Sequence, residues 1–200
     1  PEPLFVDRFN GNLRLQSNSP CLNAGTNRHV VGSADLDGNP RIAEGRVDIG
    51  AYEFQPSAGV RYVDVNNRLP AAPYTSWATA AVTIQDAVDA ATAGDEILVT
   101  NGVYASGGRA VYGTMINRVA VDKPLTLRSV NGPETTIIRG YQVSGTTNGD
   151  GAIRCVYLTS GASLCGFTLT NGATRSDGDQ AREQSGGGLW CPSRGALITN

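Results

Sequence analysis

The apolar residues of this chain fall into short runs, most of them closed by Gly, Asn, Ser or Asp. Leu4-Phe5-Val6 and Leu13-Arg14-Leu15 are strand-like, the second alternating apolar and polar. Arg61 to Val65 predicts another strand. One segment breaks the pattern: Ile84, Ala87, Val88 and Ala91 recur at helical spacing and form a single apolar stripe. Thr83 precedes it with Asp86 in the first turn, a capping-box pattern, and Gly94 stands where a left-handed stop is expected. A helix is therefore predicted near residues 83–93. Strands then follow in quick succession: Glu96 to Val99, Gly102 to Tyr104, Met115-Ile116, Val119 to Val121, Leu125 to Arg128 and Thr136 to Arg139. Ile153 to Leu158, Leu164 to Leu169, Leu189 to Cys191 and Leu197 to Thr199 complete the series.

One amphipathic helix followed only by strands needs somewhere to bury its stripe. Parallel strands usually need long crossovers, but a solenoid lets each turn of the coil supply one, and the open end of its core accepts a capping helix. An internal repeat points the same way: Cys155 to Leu164 can be laid on Leu189 to Ile198 so that Gly161-Ala162 coincides with Gly195-Ala196. The extra length between the copies falls in the polar stretch 174–184, which is expected to loop out of the coil.

Composition agrees with many short strands joined by turns: 25 glycines, 17% charged residues, one Met and one His. The formal charge is -2 with both signs interspersed, so no basic stripe offers itself to nucleic acid. No apolar run approaches the roughly 18 residues of a membrane span. Residues 1–54 form a turn-rich β segment with too few apolar residues for a core of its own, residues 55–60 a linker, and residues 61–200 the solenoid. The chain opens on Pro1-Glu2-Pro3 and closes inside a strand, so both ends read as cuts through a longer polypeptide, with further coils after Asn200.

Thr83 to Val88, Gly94 to Val99 and Gly102 to Tyr104 resemble the opening of pectin-lyase-like right-handed parallel β-helices, and Pro124 to Leu127, Thr136 to Gly140 and Gly166 to Gly172 resemble their successive coils. Asn12 to Gln16, Ser19 to Gly25, Asp35 to Arg41 and Val47 to Glu53 together resemble the choice-of-anchor Q module that follows β-helices in bacterial surface proteins. The fold class so implied is all-β: a right-handed parallel β-helix with one N-terminal capping helix, preceded by the end of another. The resemblance implies secretion or display on a bacterial cell surface. It implies no single activity, because this fold hosts lyases, hydrolases, esterases, adhesins and inert stalks. A structural or glycan-contacting scaffold, with polysaccharide or cell-surface glycans as partners, is the leading expectation. The alternative is part of a polysaccharide-active enzyme whose catalytic residues lie mostly elsewhere, and no catalytic residue is carried over.

Several residues carry candidate chemistry. Asp35, Asp37 and Asn39 space oxygen ligands like the start of a calcium loop, yet no bidentate Glu follows; Asx turns around Gly38, with Arg41 paired to Asp48 or Glu53, explain them as well. Asp177, Asp179 and Glu183 offer carboxylates to sugar or metal, or belong to a solvated loop. Lys123, Arg128, Arg139 and Arg154 are candidates to face a groove outside the coil. Among Tyr62, Tyr74, Trp77, Tyr104, Tyr112, Tyr141 and Trp190, most suit core or corner positions; Trp190 is the better outward candidate for stacking on sugars, with Leu189 and Cys191 inward. His29, the single histidine, reads as a surface residue. Of the cysteines, Cys191 falls opposite Tyr157 in the repeat. A coil spacing of ~4.8 Å with ~6.6 Å along the strand then holds it about 8 Å from Cys155, beyond the roughly 7 Å reach of a disulfide. Buried thiols are expected, with Cys21 unpartnered in its own segment.

Overall fold

The computed structural model describes residues 2–16, 18–43, 45–55 and 58–200 and divides into two units, Pro1–Ser57 and Ala58–Asn200. Of the expected linker, residues 55–60, Pro56 and Ser57 lie outside the described residues, and Val60 already belongs to a strand of the second unit.

In the first unit, β1 (Phe5–Asp7) pairs antiparallel with β2 (Asn12–Leu15). Among its described hydrophobic residues only Leu15 and Val47 are buried. Carboxylates hold its turns instead. Asp48 accepts the N–H groups of Asn23 (2.6 Å) and Phe54 (2.7 Å). Glu53 accepts that of Asp48 (3.1 Å) and pairs with Arg41 (3.2 Å). Hydrogen bonds to an ionised acceptor are about twice as strong as neutral ones, which offsets the scarcity of apolar burial here.

The second unit is a parallel β-solenoid of about 4 turns. Its first sheet stacks β3 (Val60–Val63), β4 (Glu96–Val99), β8 (Thr126–Ser129), β11 (Ser163–Cys165) and β14 (Leu197–Thr199). A second stacks β5 (Gly102–Tyr104), β9 (Thr136–Arg139) and β12 (Thr168–Thr170). A third carries β6 (Arg109–Ala110), β7 (Ile116–Val121), β10 (Ile153–Leu158) and β13 (Leu189–Trp190), parallel except for the β6–β7 pair. Side chains in register make continuous inner columns: Ile97, Leu127 and Leu164 in the first sheet, Tyr104, Ile138 and Leu169 in the second, Val119, Val156 and Leu189 in the third. Burying one such aliphatic side chain contributes about 1.5–3 kcal/mol.

The base of the solenoid is closed by α1 (Ile84–Ala90). The Thr83 hydroxyl accepts the N–H of Asp86 at 3.1 Å, the predicted cap, and Ile84, Ala87, Val88 and Ala91 are all buried. The helix is shorter than predicted: Ala91 is already extended, and Gly94 (φ 90°) shapes the turn into β4 instead of stopping the helix. Seven residues are too few to be helical alone, so packing against the core sustains them. Gln85, on the helix but off the stripe, is also buried. Its side-chain amide accepts the N–H of Ala120 (2.7 Å) and donates to the Ala120 carbonyl (3.4 Å), acting as a surrogate strand along the lower edge of β7.

Two further expectations are corrected. Leu164 to Leu169 is not one strand but two, broken at Gly166, whose φ of 76° turns the chain through a corner. The repeat register is also displaced in one strand. Leu164 does pair with Ile198, but Val156 and Tyr157 pair with Leu189 and Trp190, one place away from the predicted alignment. The corner between these strands differs in length from one coil to the next, so a constant offset fits only one side of it.

Candidate functional site

The chain passes from the first sheet to the second, and from the third back to the first, through short corners. Between the second and third sheets it makes three long excursions, 105–115, 140–152 and 171–188, all leaving the coil at the same corner. The first bears β6 and Tyr112. The second is a tight hairpin: Tyr141 bridges Ile153, and Val143 bridges Thr147. The third holds Asp177, Asp179 and Glu183.

The excursions are bound to one another. The carboxylate of Glu183 accepts the N–H of Thr114 in the first excursion (3.1 Å) and that of Asp179 in its own (3.1 Å). It also meets the Arg175 guanidinium at 2.8 Å, and Arg175 reaches Asp150 of the second excursion at 2.9 Å. The Arg175 hydrogen bond, with the two N–H donors behind it, holds the Glu183 carboxyl down to about 2. Arg154, buried on β10, donates to the carbonyls of Arg182 (2.8 Å), Ser185 (2.7 Å) and Gly186 (3.0 Å) and to Asn117 (2.9 Å). It has no carboxylate partner among the described residues, and burial lowers its pKa from the usual guanidinium value. Arg154 thus fastens the third excursion to the coil wall and does not face an outer groove. The 174–184 stretch, expected as a solvated loop, leaves the coil but is ordered around Glu183, which is buried.

Trp190 lies on the outer face, while Leu189 and Cys191 pack on the core. Its ring is edge-on to Tyr112 (5.4 Å) and tilted against Tyr157 (5.6 Å), with the Arg154 guanidinium over it at 5.3 Å. Arg182 covers Tyr112 at 4.9 Å. Trp190 is therefore half-buried inside an aromatic cluster. Asp177 and Asp179 are turned to the backbone of their own loop, Asp177 accepting from Gly178 (2.8 Å) and Asp179 from Ala181 (3.0 Å) and Arg182 (2.9 Å).

Beside the hairpin the corner opens into a cleft of about 660 Å³. Arg139, Tyr141, Gln142, Ser144 and Asn171 line it over a floor at Gly140, and among the described residues no Asp or Glu takes part. Gly140 is dictated by crowding: a β-carbon there would lie 2.3 Å from the Ile153 carbonyl oxygen and 2.6 Å from the Gly172 Cα. Arg139 and Tyr141 were among the sequence candidates; Gln142 and Asn171 carry no pattern that marks them.

The remaining candidates belong to other elements. Asp35 accepts the N–H groups of Asp37 and Asn39 (both 2.9 Å) and Glu53 (3.0 Å). Burial raises its pKa, but these bonds together outweigh burial and leave it below the ordinary carboxylate value. Asp37 is paired with Arg14. Among the described residues no group of three or more His, Cys, Asp or Glu is placed to hold a metal ion. Arg128 pairs with Glu96 (2.8 Å), and Lys123 donates to the Ala91 carbonyl (2.8 Å). Tyr62 packs edge-on to Trp77, Tyr74 against the core, and Tyr104 is buried. His29 is exposed on a 3-10 turn. All four cysteines are free thiols; Cys155 is buried, and Cys21, Cys165 and Cys191 are partly so. Among the described residues no helix is long and apolar enough to cross a membrane.

Comparison with protein families, curated proteins and solved structures gives no match.

Proposed function

We propose that this chain is a β-helix scaffold of an exported or surface-displayed bacterial protein, which presents one built corner to glycans. The observation that carries this reading is the unequal treatment of the corners. From β4 onward two are kept short, while the third receives all three long excursions and is braced by Glu183, Arg175 and Arg154. A rigid stalk needs no such bracing, whereas a recognition surface gains affinity from being preorganised. The likeness of Thr83 to Tyr104 to pectin-lyase-like openings, and of residues 1–54 to the choice-of-anchor Q module, supports export and display in the same way.

The test is a glycan array probed with this chain, with uronic-acid polymers and calcium included, and with ultraviolet absorbance followed for unsaturated uronate. Binding without turnover supports the reading. New absorbance replaces it with a lyase. No binding on the array removes the glycan-contacting role and leaves a passive stalk.

A further inference from the structure

We infer that the cleft beside the second excursion is a binding site for an anionic sugar unit, one bearing a carboxylate or sulfate, with Arg139 as its charge partner and Tyr141 as its stacking platform. The inference rests on the glycan-contacting reading above and assigns it a place and a chemistry.

Three side chains of the cleft are uncommitted among the described residues. Arg139 is exposed at the end of β9, and its guanidinium makes no hydrogen bond or ion pair with any described residue; the same holds for the Tyr141 hydroxyl and the Gln142 amide. Most other arginines of the solenoid are engaged: Arg61, Arg109, Arg128 and Arg175 with carboxylates, Arg118 and Arg154 with carbonyls. Asp150, the acid in the hairpin itself, is taken by Arg175. A second positive charge lies beneath. Arg118, buried and without a carboxylate partner among the described residues, donates to the Arg139 carbonyl at 2.9 Å. Charge beneath and a free fork above select an anion, since a guanidinium presents paired donors that match a carboxylate or sulfate.

The ring supplies the other half of the specificity. Tyr141 is 49% exposed beside Arg139, yet its backbone is fixed by reciprocal hydrogen bonds with Ile153, both 3.0 Å. An exposed aromatic face on a rigid backbone suits the apolar face of a pyranose, and the Gln142, Ser144 and Asn171 side chains offer polar groups to ring hydroxyls. The hairpin is closed by Val143 and Thr147, with hydrogen bonds of 2.9 and 2.8 Å, so the cleft is formed before any ligand arrives.

The experiment is an NMR titration of the whole chain with glucuronate, glucose 6-sulfate, glucose and acetate, observing the Arg139 side chain and the Tyr141 and Gln142 amides. The expected result is saturable shifts at these positions with both acidic sugars, and binding of glucose and acetate weaker by roughly tenfold or more. Arg139→Gln is expected to weaken glucuronate binding by roughly tenfold or more while leaving the remaining spectrum in place, because the guanidinium it replaces has no partner among the described residues. Equal binding of glucose would remove the charge recognition, and equal binding of acetate would remove the sugar. Shifts mapping elsewhere, no shifts at all, or an unaffected Arg139→Gln variant would each overturn the assignment. The two readings fail separately: array binding that survives Arg139→Gln retains the glycan-contacting scaffold and rejects this cleft.

Discussion

Glu183, in the third excursion, accepts the backbone N–H of Thr114, in the first, at 3.1 Å. The two residues are far apart in sequence and belong to coils separated by a whole turn, so one carboxylate spans the corner. Glu183→Gln keeps the shape and removes the charge that Arg175 and the two amides recognise. The expected outcome is local: amide exchange at Thr114 and Asp179 accelerates by roughly tenfold or more, while exchange in β7 and β10 is unchanged. Hydrogen-exchange mass spectrometry resolved to these segments checks it; uniform acceleration through the strands would contradict a latch confined to the corner.

The same carboxylate sets an acid limit. Its pKa falls on folding from an ordinary 4.5 to about 2. A depressed carboxylate contributes stability that is fully present above the unfolded value and is lost as pH falls through the folded one. Corner order should therefore hold above about pH 4.5 and decay towards pH 2. With Trp77→Phe, Trp190 becomes the chain's single tryptophan, and its fluorescence reads the packing of Tyr112 and Tyr157 around it. A transition in that window, absent in Glu183→Gln, is the expected result.

How far the sequence shows all this depends on the range of the interaction. The α1 stripe is legible because a helical period is a local property of Ile84, Ala87, Val88 and Ala91. Most strands are legible too, and the Thr136 to Arg139 and Ile153 to Leu158 assignments match β9 and β10 at both ends. Gly166 is harder: apolar residues flank it, and only its backbone turn separates β11 from β12. The corner is legible as a polar insertion but not as a site. Glu183 finds Thr114, and Arg154 finds the Arg182, Ser185 and Gly186 carbonyls, only once the coils are stacked. No spacing along the chain encodes those contacts.

Gln85, a polar residue on α1, serves as edge protection. An unpaired strand edge invites further pairing, and the Gln85 amide occupies the Ala120 N–H and carbonyl of β7 in the way a strand would. Gln85→Ala leaves that N–H buried without its acceptor, so the loss should be about 1–3 kcal/mol. Urea denaturation followed by far-ultraviolet circular dichroism measures it. A change within about 0.5 kcal/mol, the scale of an ordinary surface substitution, would show that water replaces the amide without cost.

Neighbouring residues on β9 offer the sharpest test of the solenoid packing. Ile138 pairs with Tyr104 and Leu169 in the inner column and is fully buried, while Ile137 pairs with Val103 and Thr168 on the outer face and is only half-buried. The two share residue type, strand and β propensity, so the same substitution isolates the direction of the side chain. Ile138→Ala empties space between coils that cannot collapse independently, and should cost about 2–5 kcal/mol. Ile137→Ala removes surface contacts only and should cost about 1 kcal/mol or less. Parallel urea melts decide between them. Reversed losses, with Ile137→Ala the costlier, would mean that the β9 register is displaced by one residue, because such a slip exchanges the inner and outer faces of a strand.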